Sequence, residues 1–158
     1  MVKCFGGFEV FVGDQMIKWS RAKTRELFAY LLQWQGKSLS KYSLCELFWP
    51  EQSQEQALAY LQTSIWTIRK KFKESGYEGI RIEYSDHRYF VSLDGVSCDM
   101  AEFEKHYREF KRTGETTEKR MAADCYRGEY LDGEDWLWAY PDRAKFERMY
   151  KELTGSGR

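Results

Sequence analysis

The 158-residue chain has no net charge, because 25 Lys and Arg stand against 25 Asp and Glu. Any argument for a polyanionic partner from the whole chain is thereby removed. It has no run approaching the roughly 20 apolar residues of a membrane span, and no charged-then-apolar leader. A soluble, cytoplasmic protein is the expectation. The four cysteines, Cys4, Cys45, Cys98 and Cys125, lie far apart and lack C-x-x-C or Cys/His ligand spacing. Packed, reduced thiols are therefore expected, with no metal site and no cofactor. The only two histidines, His87 and His106, share no Ser or Cys partner in a recognisable motif, so nucleophilic catalysis has no support and no enzyme is expected. Glu129, Asp132, Glu134 and Asp135 cluster between glycines but lack EF-hand spacing, which reads as a solvated turn pinned by Trp136, Trp138 and Tyr140.

Residues 57–73 are the informative stretch. Leu61, Ile65, Ile68 and Phe72 recur at i, i+4, i+7 and i+11, one buried helical stripe. The opposite face reads Ala59, Thr63, Trp66, Thr67 and Lys70, and the helix ends in Arg69, Lys70, Lys71 and Lys73. A merely solvated face carries Glu and Lys; hydroxyls, an indole and a terminal basic cluster are what a helix laid in a DNA groove presents. After Gly76 and Gly79, the β-branched and aromatic runs 80–84 and 89–93 flank Ser85, Asp86, His87 and Arg88, a β-hairpin by its signals.

Upstream, strand-like segments at 2–5, 8–12 and 16–19 predict a small antiparallel N-terminal sheet. Ser20 is placed to cap a helix with Leu27, Phe28, Leu31 and Leu32 on one side, ending by Gly36. Ser40 caps a shorter helix, 41–49, stopped at Pro50. Residues 51–56, all polar, read as an exposed connection. Three helices followed by a hairpin is the order of a winged helix. Beyond Cys98 no strand signal remains: Asp99 is expected to cap a helix carrying Met100, Phe103, Tyr107 and Phe110, with further helices near 117–127 and 142–153. The predicted architecture is thus an α+β winged helix at 1–97 (small antiparallel sheet, three helices, C-terminal hairpin wing), followed by a helical part at 98–158.

With these elements placed, the chain resembles the SARP-type bacterial transcriptional activators, which join an OmpR/PhoB-type winged helix to a bacterial transcriptional activator domain of tetratricopeptide-like helices. The motifs that carry the resemblance are Phe-Gly-Gly-Phe-Glu-Val at 5–10, Ala-Lys-Thr-Arg-Glu-Leu-Phe-Ala-Tyr-Leu-Leu at 22–32, Leu-Cys-Glu-Leu-Phe-Trp-Pro at 44–50 and Trp-Thr-Ile-Arg-Lys-Lys-Phe at 66–72. In the second part, Asp-Met-Ala-Glu-Phe-Glu at 99–104 and Tyr-Arg-Gly-Glu-Tyr-Leu-Asp-Gly-Glu-Asp-Trp-Leu-Trp-Ala at 126–139 are similar to the opening of the activator domain. The resemblance implies a sequence-specific regulator binding promoter direct repeats as a dimer or tandem pair and contacting RNA polymerase, and it allows an effector part of a longer response regulator of a two-component system. The helical part stops after three helices where that domain continues, so the chain reads as a fragment.

Gln62, Thr63, Trp66 and Thr67 are the candidate base readers, although Trp66 alone fits a base contact and packing under a neighbour equally well. Arg21, Lys23 and Arg25 at the first long helix, Lys41 and Tyr42 at the second, and Arg69, Lys70 and Lys73 on the third are candidate phosphate contacts, with His87 and Arg88 on the wing. Residues 1–98 hold 13 basic against 11 acidic side chains and 99–158 hold 12 against 14, so only the basic clustering at 18–25 and 69–73 favours a nucleic-acid partner. The rival readings are a protein-interaction module that uses the aromatic-rich surface without DNA and, more weakly, an enzyme with an unrecognised site.

Overall fold

The structure is a computed structural model and describes residues 1–155. In chain order its elements are β1 (Val2–Lys3), β2 (Glu9–Val12), β3 (Gln15–Met16), α1 (Ala22–Gln33), β4 (Ser38–Ser40), α2 (Lys41–Phe48), α3 (Gln54–Glu74), β5 (Ile80–Ser85), β6 (Arg88–Leu93), α4 (Asp99–Thr113), α5 (Thr116–Cys125) and α6 (Tyr140–Thr154), with a 3₁₀ turn at Leu137–Ala139. It is a mixed α+β fold with two three-stranded antiparallel sheets, ordered β1-β2-β3 and β4-β6-β5, and six α-helices among the described residues. The chain divides into two compact units: Ile17–Val96, and Met1–Met16 together with the residues from Ser97 onward. The first sixteen residues, which the sequence assigns to a domain at 1–97, thus fold with the helical part.

In the Ile17–Val96 unit, three helices contribute one apolar side each. Leu27, Phe28, Leu31 and Leu32 of α1, Leu44 and Phe48 of α2, and Leu61, Ile65, Ile68 and Phe72 of α3 are all buried, with Ile82 and Val91 from the sheet. Trp19 closes one end, its ring 5.5 Å from Phe28 and 6.5 Å from Phe72. Burying each such aliphatic side chain contributes about 1.5–3 kcal/mol, which is why the stripe on α3 fixes the helix rotation. Ser40 caps α2 as expected, its hydroxyl accepting from the Tyr42 and Ser43 amides at 3.2 and 3.5 Å. Two boundaries differ. Arg21, not Ser20, occupies the N-cap of α1 and makes no side-chain capping bond. α3 begins at Gln54, where Ser53 caps it by accepting from the Gln56 amide at 3.1 Å, so half of the expected 51–56 connection is helical.

The hairpin closes with the Ser85–Arg88 pair, leaving Asp86 and His87 as a two-residue loop at φ +51° and +63°. Positive φ at both loop positions is the type I′ arrangement that matches strand twist, here carried without glycine. The short strand β4 has no counterpart in the sequence reading. It pairs Ser38, Leu39 and Ser40 with Phe90, Tyr89 and Arg88.

In the other unit, the N-terminal strands lie with α4, α5 and α6. Phe5 is the hub, with ring centroids 5.3 Å from Phe103, 4.9 Å from Tyr126 and 5.4 Å from Phe146. Asp99 is the first residue of α4 rather than its cap. Its carboxylate accepts from the Cys4, Phe5 and Met100 amides at 2.7, 3.0 and 2.7 Å, tying the N-terminal segment to the helix. A Cβ at Gly128 would stand 2.9 Å from the Gly6 Cα, so this crossing requires glycine. α5 and α6 run Thr116–Cys125 and Tyr140–Thr154, against the expected 117–127 and 142–153, with Pro141 in the first turn of α6.

Candidate nucleic-acid interface

The side of α3 opposite its core stripe is polar and solvent-facing. Gln62 and Thr63 are exposed, Thr67 is half-buried, and Trp66 is 59 % exposed, which resolves the ambiguity of that indole against core packing. The Thr67 hydroxyl donates to the Thr63 carbonyl at 2.9 Å. The Lys70 ammonium lies 4.8 Å from the Trp66 ring centroid and 3.8 Å from Glu74, an exposed i,i+4 pair. The indole and the ammonium thus form one surface, an aromatic face with a cation over it.

The basic side chains at the helix end have different surroundings. Arg69 donates from Nε to the Ile82 carbonyl at 3.2 Å and through a second guanidinium nitrogen to the same oxygen, so it fastens α3 to β5. Arg69, itself exposed, thus has its guanidinium held as a brace between the two elements. Lys71 lies 5.9 Å from the Trp19 ring, and Lys73 is exposed.

Two groups that were separate along the sequence meet at the surface. Lys41 opens α2, its amide donates to the His87 carbonyl at 2.9 Å, and its ammonium stands 5.2 Å from the Tyr42 ring and 5.7 Å from the Tyr84 ring. A hydrogen bond with the Tyr84 hydroxyl holds this ammonium above its ordinary value, so the charge is secure. The Tyr42 ring is 6.0 Å from the His87 imidazole, and the Tyr84 hydroxyl is 3.4 Å from His87 Nδ1. Lys41, Tyr42, Tyr84 and His87 therefore form one aromatic and cationic cluster at the hairpin turn. Tyr84 is the member that sequence reasoning missed; its signal is its position three residues before His87 across a two-residue loop.

The expected free amides at the start of α2 are instead occupied: His87 accepts from Lys41, and Ser40 from Tyr42 and Ser43. Any anion there would be met by side chains. Arg88 likewise is not a free cation. Its Nε donates to the Ser38 hydroxyl at 3.1 Å and a second nitrogen to the Ser38 carbonyl at 3.4 Å, bracing β4 against β6. At α1, Arg21 and Lys23 are exposed, the latter 5.9 Å from the Phe48 ring, and Arg25 is half-buried.

The acidic turn is held from within by Arg143. Its guanidinium donates to the Tyr130, Leu131 and Glu134 carbonyls at 2.8 Å each and pairs with Glu129 at 3.0 Å, while Trp136 and Trp138 stack at 5.4 Å. His106 Nδ1 lies 2.6 Å from the Glu118 carboxylate, joining α4 and α5 with no nucleophile in the pair. The cysteines depart from expectation in one respect: Cys4 and Cys98 are brought together beside Asp99. No helix among the described residues is long and apolar enough to cross a membrane.

No protein-family model and no curated protein matches this chain. Among solved structures, EmbR of Mycobacterium tuberculosis, determined in complex with a low-affinity phosphopeptide, superposes with a TM-score of 0.79 at 16 % identity, over 99 % of this chain and 44 % of the EmbR chain. This chain therefore shares a fold with EmbR along its length while spanning less than half of that protein.

Proposed function

We propose that the chain is a SARP-like, sequence-specific transcriptional regulator whose Ile17–Val96 unit is a winged-helix DNA-binding domain. The observation that carries this reading is α3 itself: a fully buried apolar stripe on one side and, on the other, Thr63, Trp66 and Lys70 displayed to solvent on a helix locked in rotation. In the major groove, Gln62 pairs with an adenine edge, Thr63 and Thr67 meet a thymine methyl or a phosphate, and Trp66 packs on base or sugar. Lys70 and Lys73, with Lys41 and Tyr42, contact phosphates, and Arg21 and Lys23 extend that track. The hairpin is the wing, and its reach to DNA is through His87 and the Lys41 and Tyr84 side chains beside it; Arg88 shapes the wing from Ser38.

The helices α4 to α6, with the N-terminal strands, are the opening of a tetratricopeptide-like activator domain, supported by the motif resemblance at 99–104 and 126–139 and by the fold shared with EmbR. Binding as a dimer or tandem pair on direct repeats, activation through RNA polymerase, and a place as the effector part of a longer response regulator belong to the same proposal and rest on the resemblance. Selection of bound sites from a random duplex library, followed by salt titration, tests it. An enriched motif and a steep, linear dependence of log affinity on log salt are expected. No enrichment together with a flat salt dependence would point instead to a protein-docking surface.

A further inference from the structure

Cys4 and Cys98, distant in the chain, are 2 % and 1 % exposed. Two backbone features bring them together: the parallel Val2–Cys98 bridge, and the Asp99 carboxylate that accepts the Cys4 and Phe5 amides. The two sulfurs and a carboxylate oxygen of Asp99 all lie within 4.8 Å of one another. Tetrahedral coordination at about 2.3 Å to sulfur and about 2.1 Å to oxygen sets ligand atoms roughly 3.5–4 Å apart, so a common cation requires only small side-chain adjustments. The carboxylate is already oriented: Oδ1 accepts two amides and Oδ2 one, which leaves Oδ2 a lone pair for a metal and supplies the fixing bonds that ligating carboxylates have in their surroundings.

We propose that Cys4, Cys98 and Asp99 form a three-ligand site for a thiophilic divalent cation of the zinc class, clamping the N-terminal segment to the start of α4. Two sulfur donors exclude the hard cations calcium and magnesium, which take oxygen sets. The step is an exchange: the cation displaces one proton from each thiol, forming two metal–sulfur bonds and releasing two protons, with no change in oxidation state. The hydrogen bond with Cys98, and then burial, hold the Cys4 thiol well above its ordinary value while no cation is present. With it, two thiolates and a carboxylate share a dipositive centre. Binding should then add stability to the folded chain.

The full chain, fully reduced and kept anaerobic, is titrated with Co²⁺ as a spectroscopic probe and melted with and without Zn²⁺. A saturable one-to-one thiolate-to-cobalt charge-transfer absorption and a Zn²⁺-dependent rise in Tm are expected. Cys4→Ser and Cys98→Ser should each abolish the two-thiolate signal, Cys125→Ser should keep it, and Asp99→Asn should weaken affinity at least about tenfold. If the serine variants misfold, alkylation of the wild-type chain in partly denaturing urea with peptide mapping decides: Zn²⁺ should slow modification of Cys4 and Cys98 and leave that of Cys125 unchanged. Absence of the charge-transfer band, its survival without both cysteines, or cation-independent alkylation would overturn the site. Ready formation of a Cys4–Cys98 disulfide by a chain that takes up no Co²⁺ would overturn it in favour of a redox pair.

Discussion

Trp66→Ala separates the functional reading from ordinary packing more cleanly than any other single change. The indole is 59 % exposed and has the Lys70 ammonium 4.8 Å from its ring centroid. An exposed cation–aromatic contact is worth about 0.5–1 kcal/mol, so unfolding free energy in urea should fall by no more than that. The adjacent Ile65, 2 % exposed, is the contrast: Ile65→Ala should cost about 2–5 kcal/mol. On DNA the order reverses. Loss of a base-reading contact costs about 1–3 kcal/mol, or roughly 5- to 150-fold in Kd for the selected operator. Because the indole is uncharged, affinity for random duplex and the salt slope should hardly move. Lys70→Ala should weaken operator and random duplex alike and reduce the slope by about one. Fluorescence anisotropy at several salt concentrations, alongside urea melts, reads all of this. If Trp66→Ala weakens both duplexes equally, or costs as much folding stability as Ile65→Ala, the outer face of α3 does not discriminate sequence.

Phe5→Ala, which removes the 4 % exposed hub among Phe103, Tyr126 and Phe146, should destabilise by about 3–5 kcal/mol in a denaturant melt; a change under about 1 kcal/mol would mean the N-terminal strands are dispensable to that core. His87→Gly relieves a positive φ of 63° and should raise stability by up to about 1 kcal/mol. The same variant should shorten the footprint beside the major-groove contacts, and an unchanged footprint would take the hairpin off the DNA. Hydrogen bonds from Lys111 and then Tyr107 hold the Glu152 carboxyl below its ordinary value. Its contribution is therefore present at neutral pH and lost as pH falls through the folded-state value, so the Tm difference between wild type and Glu152→Gln should vanish in acid; a difference that grows in acid would reverse the sign.

Local periodicity made much of the fold legible. The i, i+4, i+7, i+11 spacing on α3 and the apolar repeat on α1 state which side of each helix is buried, because water penalises the same residues whatever packs against them. The β-branched runs of β5 and β6 and the polar link between them gave the hairpin, and Ser40 gave the cap of α2. The exposed positions of α3 follow by elimination from the buried stripe.

Contacts between residues distant in the chain were decided only by the tertiary structure. β4 is three residues of Ser and Leu with no strand signal of its own, and it exists because β6 offers unpaired backbone groups along its edge. Residues 1–16 pattern as strands next to the first helix, yet Phe5 and the Asp99 carboxylate commit them to the helical unit. Arg69 and Arg88 looked like free cations because charge is visible in a sequence and a carbonyl acceptor is not. The meeting of Cys4, Cys98 and Asp99 has no spacing rule to announce it. Periodicity reports which side of an element avoids water; which other element covers that side, and which polar groups are consumed in doing so, is set by packing across the whole chain.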